Sequence, residues 1–164
     1  AFLAASPKIV MGTIGVAPDR YGIYFAVTTA CFGIGAYTSG RLVGRFGIDG
    51  VIRRGATLCL TAGVIMTALA LGGELSVLAV MAPTALYLLG HGTLVPCATA
   101  AGLTPFPHIA GAASSAIGLA QQITATLTAL SIAALGATQT AMALGILLGG
   151  VSVAVLARHR SRVV

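Results

Sequence analysis

The chain has 164 residues, 57% of them hydrophobic and only 7% charged, with a mean hydropathy of +1.01 and a net charge of +6. A soluble domain carries roughly 25% charged residues to wet its surface, so this composition excludes an ordinary water-facing fold. The basic excess is therefore read as flanking charge on membrane helices, with the lipid bilayer as partner and no nucleic acid.

Taken in chain order, residues 1–15 predict a partial helix, broken by Ser6 and Pro7 and ended by Gly15 and Pro18. Residues 21–40 carry no charge and predict a first complete span. The stretch 41–54 is the most polar, with Arg41, Arg45, Asp49, Arg53 and Arg54, and is expected as a cytoplasmic loop between spans. A second span is expected over 55–72, stopping at Gly72, Gly73 and Glu74. A third covers 75–101 and contains Pro83 and Pro96. The Thr-Pro-Phe-Pro-His run at 104–108 predicts a turn, since neither proline continues a helix interior. A fourth span covers 109–134, and a break around Gly136 leads to a fifth at 139–157. The tail 158–164 is basic. The chain opens at Ala1 in apolar sequence without a signal-peptide pattern, and is read as a single transmembrane domain cut inside its first helix.

The 83 residues 75–157 hold no Lys, Arg, Asp or Glu. About 20 residues cross the hydrocarbon core, so this stretch has room for several spans. In lipid, backbone groups must pair internally, which leaves helices or a closed barrel. Continuous apolar runs, without the short alternation of barrel strands, predict an all-α polytopic helical bundle. Four spans separate the basic stretch 41–54 from the tail, placing both on one side. Arg41, Arg45, Arg53, Arg54, Arg158, Arg160 and Arg162 then face Arg20, Asp19 and Glu74 across the bilayer. That asymmetry predicts a cytoplasmic C-terminus. Lys8 is expected to reach the outer surface by snorkelling.

No phosphate-binding loop, nucleophile elbow or metal-ligand cluster occurs, so the chain is not read as an enzyme and no cofactor or metal is implied. Cys31, Cys59 and Cys97 lie singly in apolar segments and read as small packing residues. Twenty-two glycines and many small residues suit close helix packing in lipid. Gly145 and Gly149 share one face, and Gly111, Ser114, Ser115 and Gly118 form another. Polar groups at membrane depth are the candidates for a substrate cavity. Tyr87 and His91, four residues apart, share a helix face, and His91 also reads as a structural histidine. Gln121 lies about 18 Å into its helix, near mid-membrane, and Thr124 continues its face. An interhelical hydrogen bond is the alternative role for Gln121.

Four stretches carry a resemblance to a known family. These are Phe2-Leu-Ala-Ala-Ser6-Pro7; Gly40-Arg41-Leu-Val-Gly44-Arg45-Phe46-Gly47; Gly92-x-x-x-Pro96 followed by Pro105-Phe-Pro-His; and Ala110-Gly111-Ala-Ala-Ser114-Ser115 followed by Gly118 and Gln121. Together they resemble the C-terminal half of a major facilitator superfamily transporter, most of all the Bcr/CflA group of drug:proton antiporters. The chain departs from that pattern at three positions. Gly44 stands where the loop motif usually has Asp, Cys97 where the group often has Asn, and Lys8 in place of an aromatic residue.

The resemblance implies a six-helix half, its first helix truncated, in a bacterial inner membrane, working with an N-terminal half outside these residues. It implies alternating-access efflux of small drug-like molecules against protons. Arg41, Arg45, Arg53 and Arg54 would fix topology and latch the cytoplasmic gate. An uncoupled facilitator or channel, or a non-transporting membrane scaffold, are the alternatives. With no carboxylate between 75 and 157, this half is not expected to transport alone.

Overall fold

A computed structural model describes residues 6–74, 76–136 and 138–160, with the side chains of 155–160 excepted. Phe2, the start of the partial helix and residues 161–164 of the tail, Arg162 among them, lie outside the described residues, as do the side chains of Arg158 and Arg160. The described chain is helical almost throughout. A π-helical segment, Lys8–Thr13, precedes four α-helices. These are α1 (Pro18–Leu71), α2 (Val77–Leu103), α3 (Ala110–Ala134) and α4 (Gln139–Arg160), with a short 3-10 turn, Pro107–Ile109, before α3. The chain is an all-α membrane bundle. The α1, α2 and α3 helices are long and apolar enough to cross a membrane, and α4 carries a shorter apolar run.

Local chemistry explains each boundary. Pro18 starts α1 where its missing amide and fixed φ cost nothing, and Asp19 sits in the positive first turn. Gly15, Gly73 and Gly136 each take positive φ at a helix exit. Ser76 caps α2, its hydroxyl accepting from the Ala79 amide at 3.1 Å. Pro83 and Pro96 both lie inside α2, and the helix continues through them. Beside Pro83, the buried Thr84 hydroxyl donates to the Val80 carbonyl at 2.7 Å.

The polar stretch 41–54 differs from the loop that its charges suggest. It is helical except at Gly47 (φ 69°, ψ 168°), where α1 bends. Two arms, 18–46 and 48–71, meet at that single residue. Arginines do not disfavour helix, and a helix can project past the hydrocarbon with charged turns in the headgroup region. Only Gly47 adopts a backbone conformation that side-chain-bearing residues avoid.

Packing centres on α2, which lies against both arms of α1, while α4 packs on the second arm. Glycines set these distances. A methyl group on Gly55 would meet the Gly90 carbonyl at 2.8 Å, and one on Gly90 would meet the Gly55 carbonyl at 2.8 Å. Gly35 and Gly92 make the matching approach between the first arm and α2, each against the other helix's backbone. Gly63 and Gly150 do the same between the second arm and α4. Two buried clusters result. One gathers Met66, Val80, Met142 and Ile146 with Ile9 and Val10, and the other Val51, Ala56, Leu94 and Cys97. The outer faces remain apolar: Ile23, Val27, Leu119 and Leu127 are all more than half exposed, the pattern of a lipid-facing surface.

Candidate functional site

Beside the first cluster, against which Tyr87 packs, the bundle interior carries polar groups. Tyr87 lies about 15 Å and His91 about 21 Å along α2 from its start, in the middle of a 27-residue helix. Their spacing of four places the rings on one face, where they stack at 5.7 Å with 14° between planes. Phe32, from the first arm, approaches His91 at 6.1 Å and 44°. From the second arm, the buried Cys59 thiol donates to the Tyr87 carbonyl at 3.6 Å. A methyl group on Gly149 of α4 would lie 3.7 Å from the Tyr87 hydroxyl. Both arms of α1, α2 and α4 thus converge on the Tyr87–His91 pair. Each ring is half-buried.

The other sequence candidates are placed elsewhere. Gln121 and Thr124 lie on the exposed surface of α3. The Thr124 hydroxyl turns back to the Ala120 carbonyl at 2.8 Å, a bond local to its own helix. Gly111, Ser114 and Ser115 are also exposed on α3, and a methyl group on Gly111 or Gly118 would meet nothing within 4 Å. Ile132 is the one buried residue of α3. Gly145 and Gly118 are half-buried, and Pro96 is exposed. Glycine contacts sit instead at Gly35, Gly55, Gly63, Gly90, Gly92 and Gly150. The Gly90-x-Gly92 doublet held a signal for this. Residues two apart on a helix point about 200° apart, so the pair presents close-approach surfaces to two different neighbours. Phe32 and Cys59 gave no such signal, because only the folded chain brings them to His91.

The basic residues surround the Gly47 bend. Arg41 donates to the Tyr37 hydroxyl at 2.8 Å, with its guanidinium 4.7 Å from that ring's centre. Arg54 lies over Phe46 at 3.4 Å, so a cation–π contact spans the bend itself. Gly40, Gly44, Arg45 and Arg53 are exposed. Lys8 is exposed as well and donates to the Gly136 carbonyl at 2.6 Å, across 128 residues of sequence. Because Gly136 follows the C-terminus of α3, the ammonium sits at the negative end of that helix dipole.

The chain is similar to several bacterial resistance proteins. It is 31% identical over 123 residues to multidrug resistance protein D of Escherichia coli K12, covering 75% of this chain and 31% of that protein. It is 32% identical over 111 residues to a chloramphenicol resistance protein of Pseudomonas aeruginosa, covering 67% and 26%. It is 30% identical over 155 residues to multidrug resistance protein MdtL of Salmonella paratyphi A, covering 94% and 38%. The chain therefore spans about a third of the length of these curated relatives. No family model matches it, and no solved structure matches it at a significant level. With its apolar helical bundle and these relatives, the chain is a homologue of the multidrug and chloramphenicol resistance proteins of the major facilitator superfamily.

Proposed function

We propose that these residues form one helical half of a secondary transporter that exports small, drug-like molecules in exchange for protons. The Tyr87–His91 pair, met by Phe32 and Cys59, is the observation that carries the reading. In this reading the pair presents aromatic faces and two polar groups near mid-membrane depth, where transporter sites lie at the junction of helical repeats. Aromatic walls suit flat apolar substrates and demand little specific chemistry. The likeness to multidrug and chloramphenicol resistance proteins supports drug-sized substrates. In this reading Gln121 and Thr124, on exposed α3, face the cavity from across the interface with the remaining helices. The seven arginines near the bend and the C-terminus point to a cytoplasmic C-terminus, with the Arg54–Phe46 contact stiffening the cytoplasmic turn. Proton-titrating carboxylates would come from the rest of the transporter, since α2, α3 and α4 hold none.

The test is chloramphenicol and ethidium efflux from a drug-sensitive bacterial host expressing the full transporter that contains these residues. Export that collapses with the pH gradient and weakens in Tyr87→Ala is expected. Efflux indifferent to the gradient would sink the coupling, and no efflux of any tested drug would sink the transporter reading.

A further inference from the structure

At the end of the bundle opposite the Gly47 bend, an apolar groove opens between the second arm of α1 and α2. Its volume is about 480 Å³. Ile65 and Leu69, one turn apart, form one wall, and Leu78, Ala82 and Leu86 form the other. Both walls are stripes of spacing four, so the groove runs along the helix axes. Leu78 is 76% exposed and Ile65 45%, so the groove is open to the side.

The polar lining of this groove consists only of acceptors or satisfied groups. Glu74 and Ser76 stand at its end, where the chain turns from α1 to α2. The Ser76 hydroxyl is engaged with the Ala79 amide. Gln139 donates to the Glu74 backbone carbonyl at 3.2 Å, which fixes the turn without engaging the carboxylate. Among the described residues, no cation neutralises that carboxylate. Pro83, also in the lining, has no amide to donate. From Ser76 to Leu86 the wall is about 15 Å long, close to half of a hydrocarbon core of about 30 Å. The groove is therefore one leaflet deep, with its single charge at the water boundary.

Charge complementarity selects an ammonium at Glu74, and a one-leaflet apolar wall selects an acyl chain below it. We propose that this groove holds a phosphatidylethanolamine molecule. Its ammonium donates to the Glu74 carboxylate, and one acyl chain lies between the Ile65–Leu69 and Leu78–Leu86 stripes. Phosphatidylcholine, with the same chains, has no N–H to donate, and an anionic headgroup would be repelled.

Native mass spectrometry of the purified protein, released from bilayers of equal phosphatidylethanolamine and phosphatidylcholine, tests this. Retention of the ethanolamine lipid about tenfold above the choline lipid is expected, the scale of one charge-assisted hydrogen bond. Glu74→Gln should abolish the preference, and Ala82→Phe should displace both lipids by filling the groove. Equal retention by the unaltered protein would overturn the proposal, as would a preference that survives Glu74→Gln. Should either variant fail to fold, the unaltered protein can be challenged with mono- and dimethylated ethanolamine lipids. Retention should fall as N–H groups are lost, and a flat series would overturn the assignment. Retention of tetraphenylphosphonium that depends on Glu74, with no lipid preference, would assign the groove to a cationic drug and equally overturn it.

Discussion

Gly55 and Gly90 face each other across the contact between the second arm of α1 and α2, each leaving room for the other's carbonyl at 2.8 Å from where a methyl would stand. Helices in lipid gain no hydrophobic drive from association, because lipid tails are as apolar as leucine. Dispersion between closely approaching backbones has to hold them, and that requires the absence of a Cβ on both sides.

Gly90→Val is therefore expected to destabilise the bundle by about 1–3 kcal/mol or more, the range for inserting bulk into a packed interior. Gly118→Ala should be neutral or slightly stabilising, since a methyl there meets nothing within 4 Å and glycine in a helix costs about 1 kcal/mol. Thermal unfolding in detergent compares the two. Equal losses would mean that the glycine contact is not what holds α2 to α1.

Gly47→Ala tests the bend. The backbone there has φ 69° and ψ 168°, a region essentially restricted to glycine, where another residue costs roughly 1–3 kcal/mol. Spin labels on the exposed positions Gly40 and Thr57 should report a broadened or lengthened distance distribution as the arms straighten. An unchanged distribution would show that packing, not Gly47, sets the angle.

Lys8→Met removes the ammonium from the Gly136 carbonyl, a contact of 2.6 Å. A cation at a helix C-terminus contributes about 0.3–1 kcal/mol. The expected result is faster amide exchange around residues 135–139, with little change elsewhere and recovery in Lys8→Arg. Uniform exchange rates in Lys8→Met would show that the contact carries no weight.

His91→Phe preserves a ring stacked on Tyr87 and should leave stability close to that of the unaltered protein, whereas losing an aromatic pair costs about 0.5–1.5 kcal/mol. His91→Ala should lose about that amount. If the pair contacts substrate, Tyr87→Ala lowers drug efflux several-fold at unchanged protein level in the membrane. Melting curves and efflux measured together separate packing from substrate contact.

Much of the architecture was legible in the residues. The uncharged stretch 75–157 dictated helices in lipid, because no other spanning structure pairs its own backbone within one segment. Gly72 and Gly73, the Thr-Pro-Phe-Pro run and Gly136 mark helix exits by the conformations these residues adopt or forbid. Tyr87 and His91 were legible as a pair because helical spacing is a local property. The charges at 41–54 misled, since arginine signals a water boundary and says nothing against helix.

Composition and local pattern thus determined what this chain is: apolar helices in a bilayer, with basic turns and a mid-helix aromatic pair. Tertiary structure alone decided which surfaces meet. It brought Phe32 and Cys59 to Tyr87 and His91, set Lys8 on Gly136, and placed Glu74 at the end of an apolar groove. It also chose Gly55 and Gly90 over Gly111 and Gly118 as contact glycines. The reason is physical. Helix formation depends on residues within four positions of each other, and a small-residue stripe looks the same whether or not a neighbour covers it. Contacts between helices depend on crossing position and depth, which no window of sequence contains.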